Sequence, residues 1–383
     1  MNSFPIERFI ALAKEKGHSE DYIEACVGYA KKLMTNQYPV LFTLEHLAIA
    51  MGVKSSFLRW LIGDLKTQDI VTNPIFELKQ KRYQLFSIKK RRGGRREIMA
   101  PDKDLKYIQK WITFNILDKY PLKESCKGFR QNISIKDNAL VHEGASKILK
   151  VDLLKFYDTI TEERVYGVFK NMGYQGNLAV SLSKLCTYKH SSKYWNSFKS
   201  KEKEILSYYI KEMPAILPQG CPSSPMLANI IASKMDFRFE ELAKKMNFSY
   251  SRYADDLTFS IKENGILPSV SFINKIITDE GFYMNSEKVK YMLKGQKQYV
   301  TGLTVTNGVH TSKKYRKKIA RHIHFCRKFG VERHLTKVRE DFLGYTTLNF
   351  HDWLYGHICF IHSIDKEYSE QLLKDFNKIN WFI

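Results

Sequence analysis

The sequence predicts an α+β chain, and three observations carry that reading. Residues 1–66 show apolar residues at helical spacing. After Asn73 short strand and hairpin signals take over. From Ser312 a basic amphipathic helix begins.

In the N-terminal region Ile6, Phe9, Ile10 and Ala13 form one stripe, with Gly17 placed to end the helix. Ser19 is placed to cap a second helix carrying Tyr22, Ile23, Cys26, Val27 and Ala30. Leu44, Leu47, Ala48 and Met51, then Phe57, Leu58 and Leu61, flank a turn at Gly52. That pattern resembles a helix-turn-helix, and two packed helices account for it without DNA reading.

Tyr83, Leu85, Phe86 and Ile88 predict a strand, Gly93-Gly94 a hairpin turn, and Glu97-Ile98-Met99 the return, stopped by Pro101. Leu105–Leu117 returns to helical spacing. Ile148–Leu153 predicts a short strand that delivers Asp152 at its end, and 161–186 predicts helix. Thr187–Ala215, rich in Lys, Ser and Tyr, reads as an insertion or extended loop with one helix. Leu227–Met246 predicts a long helix, Tyr250–Ile261 two strand segments, Val270–Thr278 a helix and Tyr299–Val305 a strand before a turn at Asn307-Gly308. On the helix from Ser312, Tyr315, Ile319, Ile323 and Cys326 share a face.

Composition narrows the function classes. The 383 residues include 62 Lys+Arg against 40 Asp+Glu, a formal net charge of +22. Such an excess implies a polyanionic partner, either nucleic acid or an anionic membrane surface. The charge is clustered: Lys81–Arg96 and Ser312–Phe329 each hold eight basic residues and no acid. Aromatic and apolar residues are interleaved in both, so they read as folded segments. No stretch approaches the ~20 apolar residues of a membrane span. The N-terminal MNSFPIERFIALAKEKG carries charges where a signal peptide keeps an apolar run, so the expectation is a cytoplasmic protein without a membrane partner. Six cysteines form no CxxC pair, which points to reduced thiols. His322 and Cys326 share a helical face without a second ligand pair, so no metal site is expected there.

The stretch SRYADDLTFS, Ser251–Ser260, sets Asp255 and Asp256 side by side between strand-forming residues. Like charges repel, so something must offset them. On an extended hairpin adjacent side chains point to opposite faces, and one of the pair can share a face with Asp152 if the two strands are neighbours. Converging carboxylates call for cations. Mg2+ suits them, with its preference for oxygen ligands. Two ions about 3.5–4 Å apart clamp the attacking and leaving oxygens of a phosphoryl displacement.

Tyr253-Ala254-Asp255-Asp256 resembles the YADD signature of reverse transcriptases. Val151–Tyr157 is similar to their first palm motif, Leu217–Pro225 to LPQG-x-P-x-SP, Gly281-Phe282 with Asn285 and Lys288 to GF-x-x-N-x-x-K, and Arg96–Gln109 to the fingers motif. Asn138–His142 matches NAxxH and Val300-Thr301-Gly302 matches VTG, marks of the bacterial retron enzymes. Cys221 stands where Ala is usual, Ser223 where Thr is usual, and Lys155 with Tyr157 alters the first motif.

The resemblance implies a right-hand polymerase: an N-terminal helical extension over 1–80, fingers and a palm with an antiparallel sheet over 81–302, and a helical thumb over 303–383. It implies metal ligation by Asp152, Asp255, Asp256 and the Leu153 carbonyl, with two Mg2+ ions or Mn2+ in their place. Tyr157 would lie under the sugar and exclude a 2′-hydroxyl. Arg96, Gln219, Gly220 and Lys288 would contact the incoming dNTP. Asn138, His142, Lys313, Lys314, Arg316, Lys317, Lys318 and Arg321 would contact RNA. A retron enzyme starts DNA synthesis from a 2′-hydroxyl inside its own structured non-coding RNA. Its product is branched RNA–DNA, multicopy single-stranded DNA, which acts in anti-phage defence with a separate effector protein. Two rival readings remain on the sequence: another defence-associated reverse transcriptase, and a non-enzymatic RNA-binding scaffold on the polymerase fold.

Overall fold

A computed structural model describes residues 4–63, 82–89, 95–262 and 265–381. It is mixed α+β. In chain order the elements are α1 (Ile6–Glu15), α2 (Glu20–Thr35), α3 (Leu44–Met51), α4 (Ser55–Ile62), β1 (Tyr83–Lys89), β2 (Arg95–Pro101), α5 (Lys103–Asn115), α6 (Ile135–Leu140), β3 (Lys147–Asp152), α7 (Glu162–Asn171) and α8 (Gly176–Cys186). There follow β4 (Tyr188–Lys189), α9 (Ser192–Asn196), α10 (Ser200–Ile205), α11 (Ser207–Glu212), β5 (Ala215–Ile216), α12 (Ser224–Met246), β6 (Ser249–Tyr253), β7 (Asp256–Ile261) and α13 (Val270–Asp279). The chain continues with β8 (Lys290–Leu293), β9 (Tyr299–Val300), β10 (Leu303–Thr304), α14 (Lys313–Phe329), α15 (Val331–Lys337), α16 (Thr347–Ile364) and α17 (Lys366–Phe376).

Two compact units interleave along the chain. The first comprises Met1–Arg130, Asp152–Arg238 and Ser269–Asn285; the second comprises Gln131–Val151, Phe239–Pro268 and Ser286–Ile383.

In the first unit local signals set the helix ends. The Ser19 hydroxyl accepts from Tyr22 N–H and the Thr43 hydroxyl from His46 N–H, which satisfies donors that the first helical turn leaves open. Gly52, at φ 69°, ends α3, whose Leu44, Leu47, Ala48 and Met51 are buried. β1 and β2 pair antiparallel from Tyr83↔Pro101 to Lys89↔Arg95. The expected turn at Gly93-Gly94 lies outside the described residues. Two expectations change here. Residues 161–186 form two helices, because Gly173 at φ 108° breaks the run. Thr187–Ala215 holds three short helices, closed by the β4–β5 pair Tyr188↔Ile216 and Lys189↔Ala215.

The second unit is built on a four-stranded sheet in the order β6-β7-β3-β8. β3 pairs antiparallel with β8, from Lys147↔Leu293 to Lys150↔Lys290. Its last residue, Asp152, is where the chain passes into the first unit. The expected strand Tyr299–Val305 is instead a tight hairpin: β9 and β10 pair Val300↔Leu303, with Thr301 at φ 47° and Gly302 at φ 85°. On α14, Ile319, Ile323 and Cys326 are buried and Tyr315 packs beside them. They join Phe342, Phe350 and Leu354 in one apolar core. His322 Nδ1 lies 2.8 Å from His334 Nε2, so this buried histidine is engaged by another side chain.

Candidate active site

The β6–β7 hairpin closes on the pair Tyr253↔Asp256, which leaves Ala254 and Asp255 as its turn. The two aspartates are therefore not consecutive residues of one extended strand: Asp255 lies in the turn, and Asp256 opens β7. Ala254 holds φ 56°, a region that costs a side-chain-bearing residue roughly 1 kcal/mol or more. The fully buried Arg252 donates from Nη1 to Ala254 O at 3.1 Å and ties the turn down.

Part of the charge on the pair is met by protein. Lys150 Nζ of β3 lies 3.3 Å from Asp256 Oδ2. Ser146 N–H donates to Ile261 O at 2.8 Å, so β3 runs antiparallel to β7 and its C-terminal end meets the turn end of the hairpin. Strand periodicity pointed to β3 and β7 as possible neighbours, and the sheet order makes them so. Lys150, two residues before Asp152, is a partner that the motif reading missed.

Beneath the hairpin lies a buried polar chain. His142 Nδ1 is 2.7 Å from Ser260 Oγ and Nε2 is 2.8 Å from Ser251 Oγ. Ser251 Oγ donates to Asn138 Oδ1 at 2.6 Å. With that hydroxyl proton spent, Ser251 accepts from His142 Nε2–H, and Nδ1 accepts from Ser260; the imidazole is the neutral Nε2–H tautomer. Burial, with the Lys150 ammonium adding to it, pushes the His142 pKa down to about 3. Asn138 and His142 are both buried, so direct RNA contact is replaced by a role in holding β6 to β7. The second sequence mark joins the same construction. Thr301 Oγ1 donates to Ile135 O at 3.1 Å, and Ala139 of α6 shares an apolar cluster with Val300 and Leu303. NAxxH and VTG, far apart in the chain, thus meet through one short helix.

In the first unit Asp152 is fastened to the segment that carries Asn285. Asn285 N–H donates to Asp152 O at 2.8 Å, and Asn285 Nδ2 lies 3.5 Å from Asp152 Oδ1. Leu153 bridges to Met284, and Leu154 N–H donates to Tyr283 O at 2.7 Å. Phe156 is buried against Phe282, 5.3 Å between ring centroids, while Tyr157 is only partly buried. Gln219 and Gly220 dock on β2: Met99 N–H donates to Gln219 O at 2.7 Å. A Cβ on Gly220 would stand 2.8 Å from Ile98 Cγ2 and 2.9 Å from Met99 O, and its φ is 114°, so the position calls for glycine. Arg96 is exposed three residues earlier on β2.

In the second unit Lys288 is exposed, as are Lys313, Lys314, Lys317, Lys318 and Arg321 on the helix α14 or its rim. Arg316 departs from the expected set. It is half-buried, 3.5 Å from Asp365 Oδ2, with its guanidinium 4.9 Å from the Tyr368 ring centroid. Its charge is used inside the helical core of this unit.

Among the described residues, no three or more His, Cys, Asp and Glu side chains are gathered as a ready-made metal site. The donor chemistry of the aspartates does suit a hard divalent ion, since all are oxygen ligands, and Asp256 already receives a cation from Lys150. No helix among the described residues is long and apolar enough to cross a membrane.

Comparison with known proteins agrees with the motif order. The family model described as reverse transcriptase (RNA-dependent DNA polymerase) matches residues 88–347. The retron Ec86 reverse transcriptase of Escherichia coli is 31% identical over 347 residues, covering 89% of this chain and 90% of that protein. The retron Mx162 reverse transcriptase of Myxococcus xanthus is 32% identical over 286 residues, 72% of this chain and 56% of that protein. Among solved structures, a telomerase from Candida albicans in complex with a fragment of telomeric RNA aligns at 11% identity and a TM-score of 0.40, over 77% of this chain and 63% of that one. On the family match and the long alignment to Ec86, this chain belongs to the reverse transcriptases, RNA-dependent DNA polymerases, and among them to the retron enzymes.

Proposed function

We propose that this enzyme primes DNA synthesis from a 2′-hydroxyl within a cognate structured RNA and makes branched RNA–DNA, multicopy single-stranded DNA. The observation that carries the reading is the joint packing of NAxxH and VTG around α6, under the hairpin that bears Asp255 and Asp256. Those two marks separate retron enzymes from other reverse transcriptases, and here they meet on one short helix, from which Asn138 and His142 reach the hairpin. The charge of +22 suits a bulky folded RNA partner. Anti-phage defence through a separate effector protein, and a cytoplasmic location, belong to the same reading.

Reverse transcriptases typically use divalent metal ions. In this reading the carboxylates of Asp152, Asp255 and Asp256, with the Leu153 carbonyl, hold Mg2+, or Mn2+ in its place. Such ions stabilise the charge that develops on the attacking and leaving oxygens. Lys150 balances part of the charge on Asp256. Residues 81–302 act as fingers and palm, 303–383 as thumb, and 1–80 as a helical extension. Tyr157 lies beneath the sugar, where its ring leaves no room for a 2′-hydroxyl. Gln219 and Gly220 border the incoming dNTP, the close docking of Gly220 on β2 supporting that position. Arg96 contacts the triphosphate with fixed bidentate donors. Lys288 meets the leaving pyrophosphate. Lys313, Lys314, Lys317, Lys318 and Arg321 track the nucleic-acid backbone and set register without reading sequence.

The test is the chemistry of the product. Protein purified from cells carrying its flanking locus is expected to hold DNA joined to RNA by a 2′,5′ linkage. Ribonuclease should leave a residual ribonucleotide on that DNA, and a debranching enzyme should release the end. DNA beginning with an ordinary 5′ phosphate overturns the branched-product reading and leaves reverse transcription standing.

A further inference from the structure

The insertion between α8 and α12 packs on the turn that carries Tyr157. Lys155 holds φ 48° without being glycine, so the turn needs outside support. Lys155 Nζ stands 3.7 Å from the Phe198 ring centroid and 3.9 Å from both Asp158 Oδ2 and Glu202 Oε2. Asp158, only 3% exposed, accepts a 2.8 Å hydrogen bond from Tyr194 OH. Tyr194 lies on α9, Phe198 just after it and Glu202 on α10, so all three belong to the insertion.

The support continues beyond the turn. Tyr209 OH donates to Thr159 O at 3.3 Å, Leu217 N–H donates to Ile160 O at 2.9 Å, and Thr161 bridges to Ile216. The insertion has its own core of Trp195, Phe198, Leu206, Tyr209 and Ile216. Tyr194 is sandwiched against it, 3.7 Å from the His190 ring and 5.4 Å from Phe198. A self-packed aromatic body thus grips the residues before and after Tyr157. Phe156 instead packs into the core with Phe282.

We propose that the 187–216 insertion is a positioning device for Tyr157: through Tyr194, Phe198 and Glu202 it holds the strained Lys155–Asp158 turn, and so sets discrimination between deoxyribose and ribose. The proposal rests on the reading of Tyr157 as the residue beneath the sugar. Tyr194, Phe198 and Glu202 are positioning residues, since they act through the turn. A loosened turn lets the Tyr157 ring retreat, which admits the 2′-hydroxyl and weakens the fit of the correct nucleotide.

The experiment uses the full chain on a primed RNA template with dATP or ATP, together with hydrogen exchange of the 153–161 backbone. Tyr194→Phe removes only the hydroxyl that donates to Asp158. It is expected to speed exchange across 153–161. It should also lower the dATP-over-ATP preference roughly tenfold, the equivalent of one missing hydrogen bond to a charged group. The change should appear chiefly in the KM for dATP, with kcat much less affected. Lys155→Met leaves the aromatic core in place and should shift both readouts the same way; it serves if Tyr194→Phe does not fold. Tyr157→Ala is the control for the underlying reading. If Tyr157→Ala relaxes sugar preference while both other variants keep wild-type preference, the positioning role is overturned and the role of Tyr157 stands. If Tyr157→Ala leaves the preference unchanged, the role of Tyr157 fails, and the insertion's role in selection fails with it. Faster exchange with unaltered preference also overturns the proposal, because the insertion would then stabilise the turn without setting selection.

Discussion

The Ala254–Asp255 turn and the Lys155–Asp158 turn each place a residue other than glycine at positive φ beside a residue proposed to serve the nucleotide, yet they are held in different ways. The first is held from close by. Its strands pair on either side, Arg252 bonds the carbonyl two residues on, and His142 ties β6 to β7 from below. The second is gripped by an aromatic body that begins more than thirty positions later in the chain. A hairpin can brace its own strained turn because neighbouring strands already satisfy its backbone. A loop following the end of a strand needs partners from elsewhere in the chain. Damage to the hairpin should therefore act on folding and catalysis together, whereas damage to the loop should act on selectivity.

The largest effect expected is from Asp255→Asn in the hairpin turn. DNA synthesis should fall by about a thousandfold or more, the equivalent of losing ~4 kcal/mol of transition-state stabilisation. RNA binding, measured by titration, should stay near wild type, since the basic surface is untouched. Polymerisation at the wild-type rate would remove Asp255 from the metal-holding set and with it the catalytic half of the contrast between the two turns.

Next is His142→Ala, which takes the imidazole away from the buried Ser260 hydroxyl, leaves Ser251 with Asn138 alone, and opens a cavity. A loss of about 3 kcal/mol is expected, read by denaturant unfolding. The pH dependence has a definite sign. The folded protein keeps His142 neutral down to about 3, while the unfolded chain takes up the proton below about 6.5. Its contribution is therefore complete above pH 6.5 and is lost as pH falls toward 3, by up to roughly 1.4 kcal/mol per unit. Melting curves between pH 7.5 and 4.5 should show a shallower slope in the variant; equal slopes would mean that His142 is not the group responsible.

A smaller loss, about 1–3 kcal/mol, is expected of Gly220→Ala, from the clash with Ile98 and Met99 and the strained φ. This loop, like the Lys155 turn, relies on an element distant in the chain, so its stability reports how firmly such an element holds. Full stability in thermal melts would show that β2 yields to the new methyl.

The smallest effect is expected from replacing Lys313, Lys314, Lys317 and Lys318 with Gln. The slope of log affinity against log salt should flatten by roughly 0.7 for each single-strand phosphate that is no longer neutralised. An unchanged slope would take α14 off the nucleic-acid path without touching either turn.

Much was legible in the chain itself. The cap at Ser19, the amphipathic face of α14 and the hairpin around YADD follow from local chemistry, and the structure bears them out. Expectations went astray where a single backbone angle or a distant partner decided the outcome. Gly173 split a run that periodicity reads as one helix, and Thr301-Gly302 folded an apparent strand into a hairpin. For Asn138, His142 and Arg316 the retron resemblance implies RNA contact, and nothing in their spacing shows that they are buried or engaged within the protein. Their partners Ser251, Ser260 and Asp365 lie far along the chain, beyond the reach of any spacing rule.

What the sequence determined alone was the family and the α+β class, because short motifs in fixed order encode chemistry that few other residues can perform. Only the tertiary structure decided which polar residues face inward. It seated Asp255 in a turn and Asp256 on a strand against Lys150, and it laid the 187–216 insertion against the Tyr157 loop. The physical reason is that burial and partner choice are set by long-range packing, and a buried polar group is stable only where another part of the chain supplies its hydrogen bond.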